Sequence, residues 1–367
     1  MSVYFAASSV PSRAIAGDGG AAPSASSRAA APQAHTCQAP VGPSSLSPML
    51  ARIFPDRFVP VLFATILLAS LLPVRGAAVP VAEAVSTAAI VLLFFLNGVR
   101  LPRDEVLHGI RNWKLQGAAL LFCFGAMALL GLAAQAALAR WLPATLAIGF
   151  LFLGILPSTV QSATAATSMA GGNVAASVVA AALLNLVGVA LSPLLFALLA
   201  GSAAAIHGAA VLRIVSILLL PFLLGQLAQR WLRPRVLAHR GLATFMDRTA
   251  IAIAVYVAFS AAVVAGIWDQ LAGREIAIVL GVTAFMLALA FGGAWTLGRL
   301  LQLARTDRIT LLFAGAQKSI AVGAPLAATL FPPAIAGMVL VPILVYHMTQ
   351  LVVSAWIAPE LNRARSV

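Results

Sequence analysis

The sequence predicts an all-α membrane protein with ten transmembrane helices in two inverted five-helix repeats, the fourth and ninth of them broken. Three observations carry this: the composition, ten apolar windows of spanning length, and the placement of the basic residues. Of 367 residues, 62% are hydrophobic and 9% charged, where ordinary soluble domains carry about 25% charged residues. Mean hydropathy is +1.01. A water-soluble globule needs a polar skin that this composition does not supply, so the lipid bilayer is the expected solvent.

Residues 1–48 stand apart. They are rich in Ala, Ser, Pro and Gly and lack the apolar run and cleavage site of a secretory signal. They read as a disordered extension or a mis-assigned start, with Met49 as the working initiator. From there 49–200 forms the first repeat, 201–360 the second and 361–367 a cytoplasmic tail. A helix needs about 20 apolar residues to cross a ~30 Å hydrocarbon layer. The windows fall at 56–74, 78–99, 114–138, 143–170, 174–200, 208–230, 242–267, 274–299, 308–331 and 333–358. Trp113, Trp141, Trp231 and Trp268 sit at their ends, where indoles anchor in the headgroup region.

The loop charges test that count. With a cytoplasmic N-terminus, the inner side holds Arg13, Arg28, Arg52, Arg57, Arg100, Arg103, Arg111 and Lys114. It also holds Arg230, Arg233, Arg235, Arg240, Arg248, Arg299, Arg305, Arg308, Arg363 and Arg365. The outer side holds Arg75, Arg140, Arg213 and Arg274. A missed span would reverse every later loop and erase the asymmetry. The net charge of +13 is therefore a topology signal and not a nucleic-acid footprint. Heavy Ala and Arg usage, with Lys114 and Lys318 as the lysines, suggests a GC-rich bacterial genome and hence the inner membrane, both termini cytoplasmic.

Of the 23 basic residues, Lys318 is the one that no loop explains. It lies in mid-span with no acid in its segment. A lysine at that depth costs about 2.5–3.5 kcal/mol on insertion scales, which makes function the default reading. It is either a fixed cation for an anionic substrate or a proton carrier. Around it the ninth window reads Gly315, Gln317, Lys318, Ser319, Gly323 and Pro325; the fourth carries Pro157, Ser158, Gln161, Ser162, Thr164 and Thr167. Pro and Gly predict a break in each window. Broken backbone at that depth must be buried in protein or line a wet cavity. Polar, interrupted helices at matching places in two halves mark a transporter site. His347 is either a hydrogen-bonded structural residue or a proton relay. Asn185 is either a packing polar residue or part of the site lining. Asp247 and Arg248 are expected to pair with each other. Cys37 and Cys123 show neither a disulfide framework nor a metal-ligand spacing. No metalloprotease, nucleophile-elbow or paired-carboxylate pattern occurs, so an enzyme is not expected.

These residues also carry a family resemblance. Pro157 through Gly171-Gly172-Asn173 to Ser192-Pro193-Leu194-Leu195 resembles the fourth and fifth helices of the bile acid:sodium symporter family. Gln317-Lys318-Ser319-Ile320-Ala321-Val322-Gly323-Ala324-Pro325 and Val345-Tyr346-His347 resemble its ninth and tenth. Phe54-Pro55-Asp56-Arg57-Phe58, Phe94-Phe95-Leu96-Asn97-Gly98 and Arg111-Asn112-Trp113 extend the match over roughly residues 50–360. The Lys-Ser pair in helix nine is similar to a branch of bacterial members and an orphan vertebrate carrier. The resemblance implies a panel of helices 1, 2, 6 and 7, a core of 3–5 and 8–10 in which helices four and nine cross, and transport of amphipathic organic anions by alternating access.

The family's sodium ligands transfer poorly. Its Ser-Asn pair falls on Ser162-Ala163 or Ala163-Thr164, depending on the anchor, and its helix-nine glutamate falls on Phe313. Its later Ser matches Ser177, the following Thr is Ala181, and Gln-Asn-Ser becomes Gln317-Lys318-Ser319. Thr164, Ser177 and Gln317 stand as candidate sodium ligands. Ser158, Gln161, Ser162, Thr164, Gln317, Lys318, Ser319, His347 and Asn185 stand as candidate substrate contacts. The resulting expectation is a secondary transporter of a small organic anion in which Lys318 replaces the sodium ion. A sodium-coupled symporter or a membrane channel or sensor is the alternative. No other cofactor is expected.

Overall fold

The computed structural model describes residues 58–100, 112–200, 215–266 and 271–363. The N-terminal extension, Trp268, Arg213 and the 54–57 part of the family motif lie outside the described residues. Those residues form helices and no strand. In chain order they are α1 (Phe58–Leu71), α2 (Ala78–Arg100), α3 (Trp113–Leu138), α4 (Ala144–Ile155), α5 (Gln161–Met169) and α6 (Val174–Leu199). Then follow α7 (Val215–Ala238), α8 (Arg240–Val264), α9 (Gly273–Leu300), α10 (Arg305–Ala316), α11 (Ile320–Leu330) and α12 (Pro333–Arg363).

Among the described residues, eight helical stretches are long and apolar enough to cross a membrane, counting Arg305–Leu330 as one stretch; Pro60–Leu71 and Ala144–Ile155 are shorter apolar helices. The chain is a multi-pass membrane protein. Trp113 at the start of α3 and Trp141 just after it are exposed, as is Trp231, which lies within α7 and not at its end. Several boundaries differ from expectation. The sixth window was placed to end at Arg230, where the basic run begins, yet α7 continues to Ala238 with Pro234 inside it. A helix leaving the lipid can run on into a polar layer that charged side chains favour. Pro325 likewise stays inside α11 and breaks nothing.

Two groups of helices emerge from the contacts. Helices α1, α2, α7 and α8 pack on one another, while α3–α6 and α9–α12 pack among themselves; α8 touches α11 and α12, and α6 touches the start of α7. Burial separates the interior elements from the lipid-facing ones. Every residue from Leu146 to Thr159 and from Ile309 to Ile320 is buried. A helix apolar all round belongs at the centre, and these two segments are that centre. Edge-on Phe152, Phe196 and Phe331, with ring centroids 5.0–5.9 Å apart, tie α4, α6 and the end of α11 together.

One close approach positions the site. A Cβ on Gly131 would lie 2.6 Å from the Phe150 carbonyl oxygen, and one on Gly154 2.5 Å from that of Met127. Glycine at both positions lets α3 and α4 meet backbone to backbone. Beside this contact α3 widens into a π-turn at Phe122–Ala126. Such turns disturb the i→i−4 ladder and often mark functional positions.

The helix ends are tied as well. Asn112 at the start of α3 and Asn173 at the start of α6 each donate a 2.9 Å hydrogen bond to Asp307 at the start of α10. Arg305 donates to the Leu361 carbonyl near the end of α12. On the opposite side, Arg274 at the start of α9 donates to the Trp141 carbonyl just after α3.

Candidate functional site

The first break follows from Pro157. Proline pushes the residue before it out of helical conformation, and Leu156 is extended at φ −70°, ψ 147°. Helix α4 therefore stops at Ile155 and leaves carbonyls that no later N–H can reach. Five carbonyls at and just after this end have partners from other parts of the chain. Ser192 donates to Ile155 O at 2.7 Å, the Ser319 N–H to Pro157 O at 2.9 Å, and Asn185 Nδ2 to Ser158 O at 3.0 Å. Gly154 O and Leu156 O are both taken by the Lys318 ammonium, at 2.9 and 2.8 Å.

The second break runs from Gln317 to Ser319. Gln317 is extended, and Ser319 caps α11 by accepting from Val322 N. The peptide groups of Lys318 are held by one side chain: Gln350 Oε1 accepts from Lys318 N at 2.7 Å, and its Nε2 donates to Lys318 O at 2.9 Å. Gln350 Nε2 also lies 2.9 Å from His347 Nδ1, and that ring nitrogen lies 3.3 Å from Lys318 O, so the tautomer of His347 sets which of the two contacts is the hydrogen bond. Tyr346 donates its hydroxyl to Ala316 O at 2.8 Å. The two breaks are thus hydrogen-bonded to each other, and α6 and α12 supply the remaining partners.

Lys318 is fully buried. An ammonium offers three protons, and three carbonyl oxygens surround this one: Cys123 O at 2.9 Å, Gly154 O at 2.9 Å and Leu156 O at 2.8 Å. Cys123 Sγ is 3.4 Å away. Two of these carbonyls belong to the C-terminal end of α4, where the helix dipole favours a cation. The third comes from the π-turn of α3. Rings of backbone carbonyls are also how membrane proteins hold dehydrated metal cations. The side chain is therefore a tethered cation in a carbonyl cage.

Next to the cage lies a second polar group. Gln317 Oε1 accepts from Thr159 Oγ1 at 2.5 Å and from Ser162 Oγ at 2.7 Å, and its Nε2 donates to Ser354 at 3.0 Å. Gln317, Ser162 and Ser354 form the polar side of a cavity of about 360 Å³, whose other walls are Gln161, Ala165, Ala166, Met169, Arg248, Leu351 and Ala355. Of the candidate substrate contacts, Gln161, Ser162 and Gln317 line this cavity. Ser158 is buried in the first break, and Ser319, His347 and Asn185 serve the backbone of the two breaks.

The candidate sodium ligands do not converge. Thr164 Oγ1 is 3.4 Å from Ser177 Oγ, which also accepts from Thr167 at 3.3 Å, while Gln317 is bound elsewhere. Phe313, at the position of the family's glutamate, is buried edge-on to Phe291 at 6.0 Å. Neutral hydroxyls directed at one another, with no carboxylate among them, do not fit a resident sodium ion.

Asp247 does not pair with Arg248. It receives both guanidinium nitrogens of Arg100 from α2, because residues adjacent on a helix point about 100° apart. Arg248 instead lies 5.6 Å over the ring of Phe58 and on the cavity wall. No residue type announces the Cys123, Gly154 and Leu156 carbonyls. Gln350, one turn after His347, was visible only as an intramembrane amide.

Comparison with known proteins identifies the family. The family description "SBF-like CPA transporter family" matches residues 56–363. The chain is 39% identical over 313 residues to "Putative symporter YfeH" of Escherichia coli (strain K12), covering 84% of this chain and 93% of that protein. It is 38% identical over 316 residues to the uncharacterized protein PA2026 of Pseudomonas aeruginosa, covering 86% and 95%. It is 22% identical over 335 residues to sodium/bile acid cotransporter 7 of Danio rerio, covering 86% and 96%. With a match running from the first described helix to the last, the chain belongs to the SBF-like CPA transporter family, relatives of the bile acid:sodium symporters.

Proposed function

We propose that the protein is a secondary transporter of a small organic anion that works by alternating access and uses Lys318 where a symporter would use a sodium ion. The carrying observation is the Lys318 ammonium, held by three backbone carbonyls at the point where two broken helices meet. In this reading α4–α5 and α10–α11 are each one interrupted span, so the described helices make ten spans. They are the fourth spans of two inverted five-helix halves. The basic loops put both termini on the cytoplasmic side of a bacterial inner membrane. Helices α1, α2, α7 and α8 form the part against which the others move, and the cavity beside Gln317 is the transport site. Its partners are lipid and a small solute; it needs no nucleic acid, no bound cofactor and no covalent chemistry.

The second reading is sodium-coupled symport. It is favoured by the hydroxyls of Thr164, Thr167 and Ser177 clustered beside the break and by the printed name of the Danio rerio relative. Losing the formal negative charge at Phe313 weakens it, because a hard cation prefers several oxygen ligands including carboxylate.

Transport itself is tested by counterflow. Proteoliposomes loaded with unlabelled 4-toluenesulfonate, a permanently charged compact anion, are expected to accumulate labelled 4-toluenesulfonate transiently above equilibrium, at the same rate in sodium and in choline medium. A pore would only equilibrate the label. Absence of the overshoot contradicts the carrier reading, and an overshoot confined to sodium medium favours symport.

A further inference from the structure

We propose that the end of α7 carries a binding site for the phosphodiester headgroup of an anionic phospholipid, with Arg233 at its centre and Arg230 and Arg235 at its rim. Close packing sets the place. A Cβ on Gly98 would collide with the Phe222 carbonyl oxygen, and one on Gly225 with that of Phe95, so α2 and α7 meet backbone to backbone. Gln226 and Gln229 of α7 donate to Gly98 O at 2.7 Å and to Val99 O at 3.3 Å. Arg233 follows one turn after Gln229, on the face of α7 that is turned to the end of α2.

Among the described residues, the charge at this end is uncompensated. Asp247 takes both terminal nitrogens of Arg100, the last residue of α2, and neutralises it. Arg233 has no such partner: its Nε is buried and meets no acceptor. A buried donor left in that state is a cost that a bound oxygen would relieve. No Asp or Glu occurs from residue 201 to 246, while Arg230, Arg233, Arg235 and Arg240 follow closely on one another. Guanidinium groups match the oxygens of a phosphate through paired N–H donors.

The surface beside them fits a lipid better than a dissolved phosphate. Leu220, Leu223, Leu224, Leu227 and Trp231 recur every three or four residues and are all exposed, which makes one face of α7 an apolar stripe. Trp231 closes the stripe as an interfacial indole. Arg230 and Arg235, both exposed, carry the same face onward. Leucines, indole and arginines thus follow the order of acyl chain, glycerol layer and headgroup. Basic pockets where helices reach the membrane surface are a known mode of anionic-lipid recognition. The site belongs to the group of α1, α2, α7 and α8, so a lipid bound there ties that group to the bilayer.

The test is a titration of the purified full chain in detergent with dioleoylphosphatidylglycerol and with dioleoylphosphatidylcholine, bound lipid being counted by native mass spectrometry. The unaltered protein is expected to prefer phosphatidylglycerol by at least about tenfold. A basic side chain at an anionic surface is worth about fivefold. Arg233→Gln is expected to weaken phosphatidylglycerol by that factor and to leave phosphatidylcholine unchanged, and Arg233→Lys to keep most of the preference. The double variant Arg230→Gln, Arg235→Gln changes only exposed side chains and is expected to lose the preference with an unaltered melting temperature; it decides alone if Arg233→Gln does not fold. Arg140→Gln, exposed and far from α7 in the chain, is expected to change nothing. Equal affinity of the unaltered protein for the two lipids overturns the site, as does a preference that survives the double variant. A preference kept in Arg233→Gln but lost in the double variant overturns the central place of Arg233. A loss in Arg140→Gln as large as in the others would reduce the effect to net charge. Displacement of the lipid by an equal concentration of glycerol 3-phosphate would make this a site for dissolved phosphates and overturn the lipid assignment.

Discussion

Lys318→Met is expected to lower the stability of the purified protein by about 3–5 kcal/mol, the scale for removing one partner from a buried charged network. Methionine nearly matches the volume, so little of the loss comes from a cavity. It comes from Cys123 O, Gly154 O and Leu156 O, which lose their donor together. A buried acceptor left without a partner costs about 1–3 kcal/mol, and in lipid no water replaces it. Lys318→Arg is not expected to rescue, since a planar guanidinium does not fit where a compact ammonium meets three oxygens. Thermal unfolding in detergent measures both. A methionine variant that melts with the unaltered protein would mean that the cage holds without its cation.

Gln350→Leu is expected to cost about 2–4 kcal/mol and to abolish transport, because one amide serves both peptide groups of Lys318. Without it the Lys318 peptide loses both its partners just where the ammonium must be aimed, and Tyr346 and Ser354 hold only the flanking Ala316 and Gln317. Thr349→Val is the neighbouring control. Its hydroxyl bonds only to Val345 O in its own helix, and a change within about 0.5 kcal/mol is expected there. Unfolding and counterflow, measured on both variants, check the contrast. Equal loss in the two would remove the special place given to Gln350.

The breaks were legible because their causes are local. Pro157 cannot continue a helix, and a run of Gln317, Lys318 and Ser319 inside an apolar window has no lipid-facing explanation. That Lys318 is functional by default also follows from one residue and its depth. Its direction was not legible. The groups that hold it are backbone carbonyls, which every residue possesses and no residue type announces. The π-turn that presents Cys123 O leaves no mark in the sequence either. The partner of Asp247 was missed for a related reason. Arg100 is 147 residues away, and proximity in the chain favoured Arg248, which the helix turns elsewhere. Pro325 shows the converse error, since proline within an apolar segment predicts a break only where other groups take over the freed backbone. Such groups gather around Gln317–Ser319 and not around Pro325.

The account rests on Lys318 standing where a cation would otherwise be bound, and a comparison of salts tests that most directly. Melting temperatures of the purified protein and of Lys318→Ala are measured in sodium and in potassium chloride at equal ionic strength. The unaltered protein is expected to be indifferent to the choice of salt. Lys318→Ala is expected to be less stable and to be partly restored by sodium, which can enter the vacated carbonyl cage. Selective stabilisation of the unaltered protein by sodium would contradict the account, because the ion would then bind while the ammonium is still in place.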